Sequence, residues 1–220
     1  MSSGLYLELA YFPGSPPCCG GSGDYSLYRT VLPDGSYLQG DMAMTTAGTE
    51  DRVKDLLFIL EELSRWNAND AVFAGRLDLT RVGAIGASWG VTTVAKFGTV
   101  DTRCKAIIGL DPGASLSQLQ LVRLDQPVLE INRPANSDTT LYRLSATNAI
   151  WFQISSTDHL LIAGGDWYWA WHPENVASGR EVARTINAYT LWFLNKYLKG
   201  STDPMPALAD YPRVTNFQQK

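Results

Sequence analysis

The sequence predicts an α/β fold: a mostly parallel central sheet with helices on both faces. Two observations carry the prediction. Short apolar runs alternate with longer stretches of helical periodicity along most of the chain. Residues 82–95, Val-Gly-Ala-Ile-Gly-Ala-Ser-Trp-Gly-Val-Thr-Thr-Val-Ala, also read as strand, tight turn and helix in immediate succession. Strands separated by helices return to the same end of a sheet and therefore run parallel. A chain of 220 residues with 45% hydrophobic and 18% charged residues suits a single domain with a sizeable core. Within it, 1–29 reads as an irregular segment, 30–200 as the core and 201–220 as a C-terminal tail.

Leu5-Tyr6-Leu7-Glu8-Leu9 alternates like a strand, but Leu5, Glu8, Leu9 and Phe12 also fit helical spacing, so both states stay open. Residues 13–24 are rich in Pro and Gly, which remove backbone donors and add chain entropy, and they read as an irregular loop. Pro33-Asp34-Gly35 is a turn between two short apolar pieces, and residues 41–49 read as loop. A helix is expected from Thr49 or Glu50 to about Asn67. Val53, Leu56, Leu57, Leu60 and Leu63 form its apolar stripe, and Glu50 and Asp51 suit the positive end of its dipole. A linker carrying Gly75 leads into a strand at Arg81–Ile85, and the next helix is expected over Trp89–Phe97.

Further strands are expected at Cys104–Leu110, Pro127–Asn132 and Ala149–Ile154, with a short helix near Leu141–Thr147. Asp111-Pro112-Gly113 stops the first of these strands, and Ser155–His159 stops the last. A long final helix over Gly179–Leu198 places Ala183, Ile186, Tyr189, Thr190, Phe193 and Tyr197 inward, and Gly200 and Pro204 end it.

The formal net charge of −4 argues against nucleic acid or an anionic membrane surface as the main partner. No apolar run is long enough to span a bilayer. The N-terminus has no basic region of the kind that opens a signal peptide, and the compartment stays open. The three cysteines, Cys18, Cys19 and Cys104, show no metal-ligand spacing. No metal or organic cofactor is expected.

Gly86-Ala87-Ser88-Trp89-Gly90 is a Gly-x-Ser-x-Gly turn. Between a strand and a helix, this pattern lifts the serine hydroxyl above the sheet on a strained backbone. The pentapeptide is a weak signal alone and gains weight from that context. Gly86 and Gly90 spare the turn two Cβ atoms. An activated serine needs a base in hydrogen-bond reach, and the base needs an orienting acid. Of the two histidines, His159 follows a strongly apolar strand, so it emerges at the edge where Ser88 also sits. His172 lies in a Trp-rich segment with no strand to present it. The competing reading of His159 is a polar loop residue beside Asp158. For the acid, Asp111 follows its strand directly, and Asp138, in the loop after Pro127–Asn132, is the alternative. Asp111 also reads as a turn-former before Pro112. The order Ser88, Asp111, His159 is the chain order of the α/β-hydrolases.

Four segments together resemble the platelet-activating-factor acetylhydrolase-like branch of the α/β-hydrolases. They are Arg52-Val53-Lys54-Asp55-Leu56, Gly75-Arg76-Leu77-Asp78-Leu79, Gly86–Gly90 and Leu110-Asp111-Pro112. Thr30–Gly35 is similar to a segment of that group as well, and the resemblance covers about Thr30 to Leu198. It implies a serine hydrolase acting on small-molecule carboxylic esters, with Ser88 as nucleophile, His159 as base, Asp111 as acid and the Trp89 amide as an oxyanion donor.

Two departures stand out. Ala87 and Val91 replace the family's His and second Gly, so the helix at Val91 must pack differently. No strand followed by His-Gly precedes Ser88, so the usual second oxyanion donor is not found. Leu5–Ala10 resembles the end of the helix that follows that loop. The resemblance therefore implies an altered or truncated N-terminus with N-terminal strands partly missing. It leaves open a catalytically impaired or purely binding protein. The aromatic cluster Trp167, Tyr168, Trp169 and Trp171 is a candidate acyl-pocket wall, Trp167 foremost, or ordinary packing over the core.

Overall fold

The computed structural model describes residues 3–9, 30–31, 37–38, 46–113, 123–164 and 176–220. Within them a six-stranded sheet forms the centre. The strands are β1 (Ser3–Leu9), β4 (Leu77–Ala87), β5 (Cys104–Leu110), β6 (Val128–Asn132), β7 (Ala149–Ile154) and β8 (Val214–Gln219), in that spatial order. The first five run parallel, and β8 closes one edge antiparallel to β7. A separate antiparallel ribbon pairs β2 (Thr30–Val31) with β3 (Tyr37–Leu38).

The helices are α1 (Thr46–Asn69), α2 (Trp89–Val100), α3 (Thr140–Leu144), α4 (His159–Gly164) and α5 (Val176–Lys199). Strand residues alternate between two cores, as the period of two demands. Ile107 joins Val53, Leu56 and Leu60 of α1 and Val91, Val94 and Phe97 of α2 on one face. Ile108 joins Val182, Tyr189, Phe193 and Leu198 of α5 on the other. The expected mostly parallel sheet with helices on both faces is the observed architecture.

Several boundaries differ from the sequence reading. Ser3–Leu9 is a strand and not the end of a helix; it pairs in parallel with β4, Leu9 lying opposite Gly86. Helix α1 begins earlier than expected, at Thr46, so Glu50 and Asp51 sit beyond its first turn. Strand β4 extends on both sides of Arg81–Ile85. The segment read as a tail contributes a 3₁₀ turn at Leu208–Asp210 and strand β8.

Val91 finds its room opposite Gly109 of β5. A Cβ added there would lie 2.9 Å from Val91 Cγ1 and 2.5 Å from Leu141 Cδ2. The bulk gained on the helix is thus matched by bulk absent from the strand. At Gly86 an added Cβ would run into the Gly90 carbonyl, as the tight turn requires.

Candidate active site

Strands β4, β5 and β7 end at the same edge of the sheet and deliver Ser88, Asp111 and, after a short loop, His159. Ser88 has φ 53° and ψ −121°, a conformation that few side chains tolerate. Its backbone N–H donates to Leu110 O at 2.9 Å, which ties the turn to β5. Its hydroxyl does not cap α2. The Oγ lies 2.9 Å from His159 Nε2, and His159 Nδ1 lies 2.5 Å from Asp111 Oδ2. Ser88, His159 and Asp111 thus form one hydrogen-bonded chain across three strand ends.

Asp111 is 1% exposed and also has positive φ, 49°. Its other oxygen, Oδ1, accepts from Asn136 Nδ2 at 2.8 Å and from the Arg133 amide at 3.2 Å. The Arg133 guanidinium stands 3.5 Å from Oδ2. Burial by itself would raise the Asp111 pKa. The hydrogen bonds from His159, Asn136 and the Arg133 amide outweigh it and hold the carboxyl below its ordinary value. The group is an anion at neutral pH, facing an imidazole that is about one-third exposed. A buried carboxylate on Nδ1 fixes the tautomer that leaves Nε2 free to accept the serine proton.

Asp138, the alternative acid, is occupied elsewhere. Its Oδ1 accepts from the Thr140 amide at 2.8 Å and the Thr140 hydroxyl at 2.5 Å, at the start of α3. Asp158 also serves its own helix, accepting from the Leu161 amide at 2.8 Å. Trp89 opens α2 and is buried. Its indole Nε1 donates to Thr49 Oγ1 at 3.1 Å, and the Arg52 guanidinium lies 3.7 Å from its ring centroid. The N-terminal parts of α1 and α2 are thereby held together beside Ser88. Trp167 and His172 lie outside the described residues.

Sequence reasoning missed Arg133 and Asn136, which bond Asp111, and Gln153, which bonds the carbonyls of their loop. A signal was present. Gln153 is a polar residue inside an otherwise apolar strand, and such a side chain must find partners when buried.

No protein-family model matches the chain, and no curated protein matches it. Among solved structures, a ferulic acid esterase from Streptomyces cinnamoneus is similar, with a TM-score of 0.61 at 20% identity. The match covers 85% of this chain and 61% of that one, so the chain spans less than two thirds of that esterase's length. The fold is that of an α/β-hydrolase. In open α/β sheets, ligands gather outside the carboxyl ends of the parallel strands. Ser88, Asp111 and His159 occupy that edge here. No helix among the described residues is long and apolar enough to cross a membrane.

Proposed function

We propose that the protein is a serine hydrolase of carboxylic esters, with Ser88, His159 and Asp111 as its catalytic triad. The observation that carries the reading is the continuous hydrogen-bond chain from Ser88 Oγ through His159 to buried Asp111. Ser88 heads it on a strained turn that works as a nucleophile elbow.

Ser88 Oγ attacks the ester carbonyl carbon while His159 Nε2 takes the hydroxyl proton. Asp111 holds the imidazole and stabilises its cationic form. The carbonyl oxygen becomes an oxyanion, and the Trp89 amide, at the positive end of α2, receives it. Collapse of the tetrahedral intermediate expels the alkoxide, which His159 protonates, and leaves Ser88 acylated. Water then adds to the acyl carbonyl as His159 takes its proton, and collapse of this second intermediate releases the acid while His159 returns the proton to Ser88 Oγ.

Strand β1 ends at Leu9, opposite Gly86, at the sheet edge that also carries Ser88. This is the position from which a second oxyanion donor comes in such hydrolases. The substrate is a small-molecule ester rather than a nucleic acid. The resemblance to platelet-activating-factor acetylhydrolases favours a short or compact acyl group. The name of the ferulic acid esterase neighbour is compatible with ester chemistry.

The test is hydrolysis of p-nitrophenyl acetate by purified protein beside Ser88→Ala. Loss of the nucleophile is expected to lower turnover at least about 10³-fold. Equal rates for the two proteins would overturn the reading in favour of a binding protein built on a hydrolase fold.

A further inference from the structure

The loop between β6 and α3, residues 133–139, has two chemically different sides. Donors face Asp111: the Arg133 amide and the Asn136 side chain, which also donates to Pro112 O at 2.9 Å. Acceptors face the opposite way. The carbonyls of Arg133, Pro134 and Asn136 converge on one atom, Gln153 Nε2, at 3.2, 3.2 and 2.8 Å. The next acceptor, Asp138 O, receives Asn132 Nδ2 at 2.7 Å and Trp151 Nε1 at 3.1 Å.

Gln153 is 4% exposed and sits in β7. Its amide can point only one way. A flipped amide would set Oε1 against three carbonyl oxygens. The orientation is fixed from behind by Asn216, whose Nδ2 donates to Gln153 Oε1 at 2.6 Å. Asn216 can do so because the β7–β8 ladder is irregular there. Gln153 pairs with Thr215 and Trp151 with Gln218, so Asn216 and Phe217 together oppose Phe152. Asn216 has φ 52°. An extra residue of this kind is a β-bulge, which re-aims a side chain that strict alternation would send to the other face.

We propose that Gln153, aimed by Asn216, is a positioning residue for Asp111. It touches neither the serine nor the histidine. It gathers three carbonyls on one side of the loop and so presents the two donors on the other side. Those donors hold Asp111 Oδ1 and leave Oδ2 for His159. The proposal rests on the triad reading above.

Gln153→Leu removes the donor at similar size, and Asn216→Ala removes only the group that aims it. With p-nitrophenyl acetate, Gln153→Leu is expected to lower kcat about tenfold to a hundredfold with little change in KM, the effect of a displaced catalytic group. Asn216→Ala is expected to give a smaller loss of the same kind. Asn136→Ala and Gln153→Leu should combine less than additively, because one acts through the other.

A second readout does not need activity. The downfield proton NMR signal of the His159–Asp111 hydrogen bond should shift or broaden in both the Gln153 and Asn216 variants. A folded Gln153→Leu with unchanged kcat and an unchanged downfield signal would overturn the proposal. If Gln153→Leu does not fold, the same result in Asn216→Ala overturns it equally. Wild-type protein without Ser88-dependent turnover would sink the esterase reading alone, and the NMR comparison would still decide the role of Gln153.

Discussion

Among the described residues, the non-glycine positions with positive φ are Ser88, Asp111, Ser156 and Asn216. Two belong to the proposed triad, the third lies in the loop that carries His159, and the fourth aims Gln153. Such conformations cost about 1–3 kcal/mol each and persist where the surroundings over-determine them. At Ser88 this strain can be separated from the chemistry. Ser88→Gly and Ser88→Ala both remove the hydroxyl, but only Gly relaxes at φ 53°. Ser88→Gly is therefore expected to be more stable than Ser88→Ala by about 1 kcal/mol, read from urea unfolding, with both inactive. Equal stabilities would mean that the turn stores no strain. The two candidate acids separate as cleanly. Asp111→Asn keeps the shape but lets His159 adopt the wrong tautomer, and a loss in kcat approaching about 10⁴-fold is expected. Asp138→Asn retains an acceptor for Thr140 and should leave turnover near wild type. A larger loss from Asp138→Asn would move the acid there.

At the scale of elements, Val91 and Gly109 are one packing solution shared between α2 and β5. Gly109→Ala places a methyl 2.5 Å from Leu141 Cδ2 and 2.9 Å from Val91 Cγ1. Overpacking of this kind costs about 1–3 kcal/mol. Val91→Ala added to Gly109→Ala should recover part of it, giving a favourable coupling in a double-mutant cycle of thermal unfolding. Additive losses would show that the two residues do not share the space. This pair also shows what a sequence can carry. The departure at Val91 signalled altered packing, but only the sheet register reveals which residue gave way. Strands β5 and β7 were legible to the residue because each is a mostly apolar, mostly buried run, broken only by Lys105 in β5 and Gln153 in β7. Strand β8 was not, since Val-Thr-Asn-Phe-Gln-Gln lies half-exposed on an edge and reads as polar coil. The Ser, Asp and His positions were legible because each follows a strand on the same edge. Asn136 and Asn216 carried no such mark. Each matters through a partner far away in the chain, brought near only by the sheet.

Across the whole molecule, two buried carboxyl groups set opposite limits on stability. Glu130 stands in the interior strand β6, 0% exposed, between Gly109 of β5 and Trp151 of β7. Burial pushes its pKa up to about 8, against smaller opposing hydrogen bonds from the Tyr142 amide and Asn132. Its unfolded value is near 4.5. Between these two values the folded state holds a proton that the unfolded chain has lost, so stability falls as pH rises through that window and levels off above it. Asp111 acts with the opposite sign. Its folded pKa is depressed below 3.8, so its contribution is complete above that value and is lost as pH falls through the lower folded one. The protein should therefore weaken with acid through Asp111 and, separately, weaken from mildly acid toward mildly alkaline pH through Glu130. Glu130→Gln keeps an acceptor for the Tyr142 amide and removes the second titration. Unfolding free energies, taken from urea midpoints measured from about pH 5 to about pH 8, should decline in the wild type by no more than about 1.4 kcal/mol per pH unit, the limit for one proton. The same midpoints should be markedly flatter in Glu130→Gln. Parallel curves for the two proteins would show that Glu130 is already ionised in the folded sheet, held by Tyr142 and Asn132 more strongly than burial opposes it.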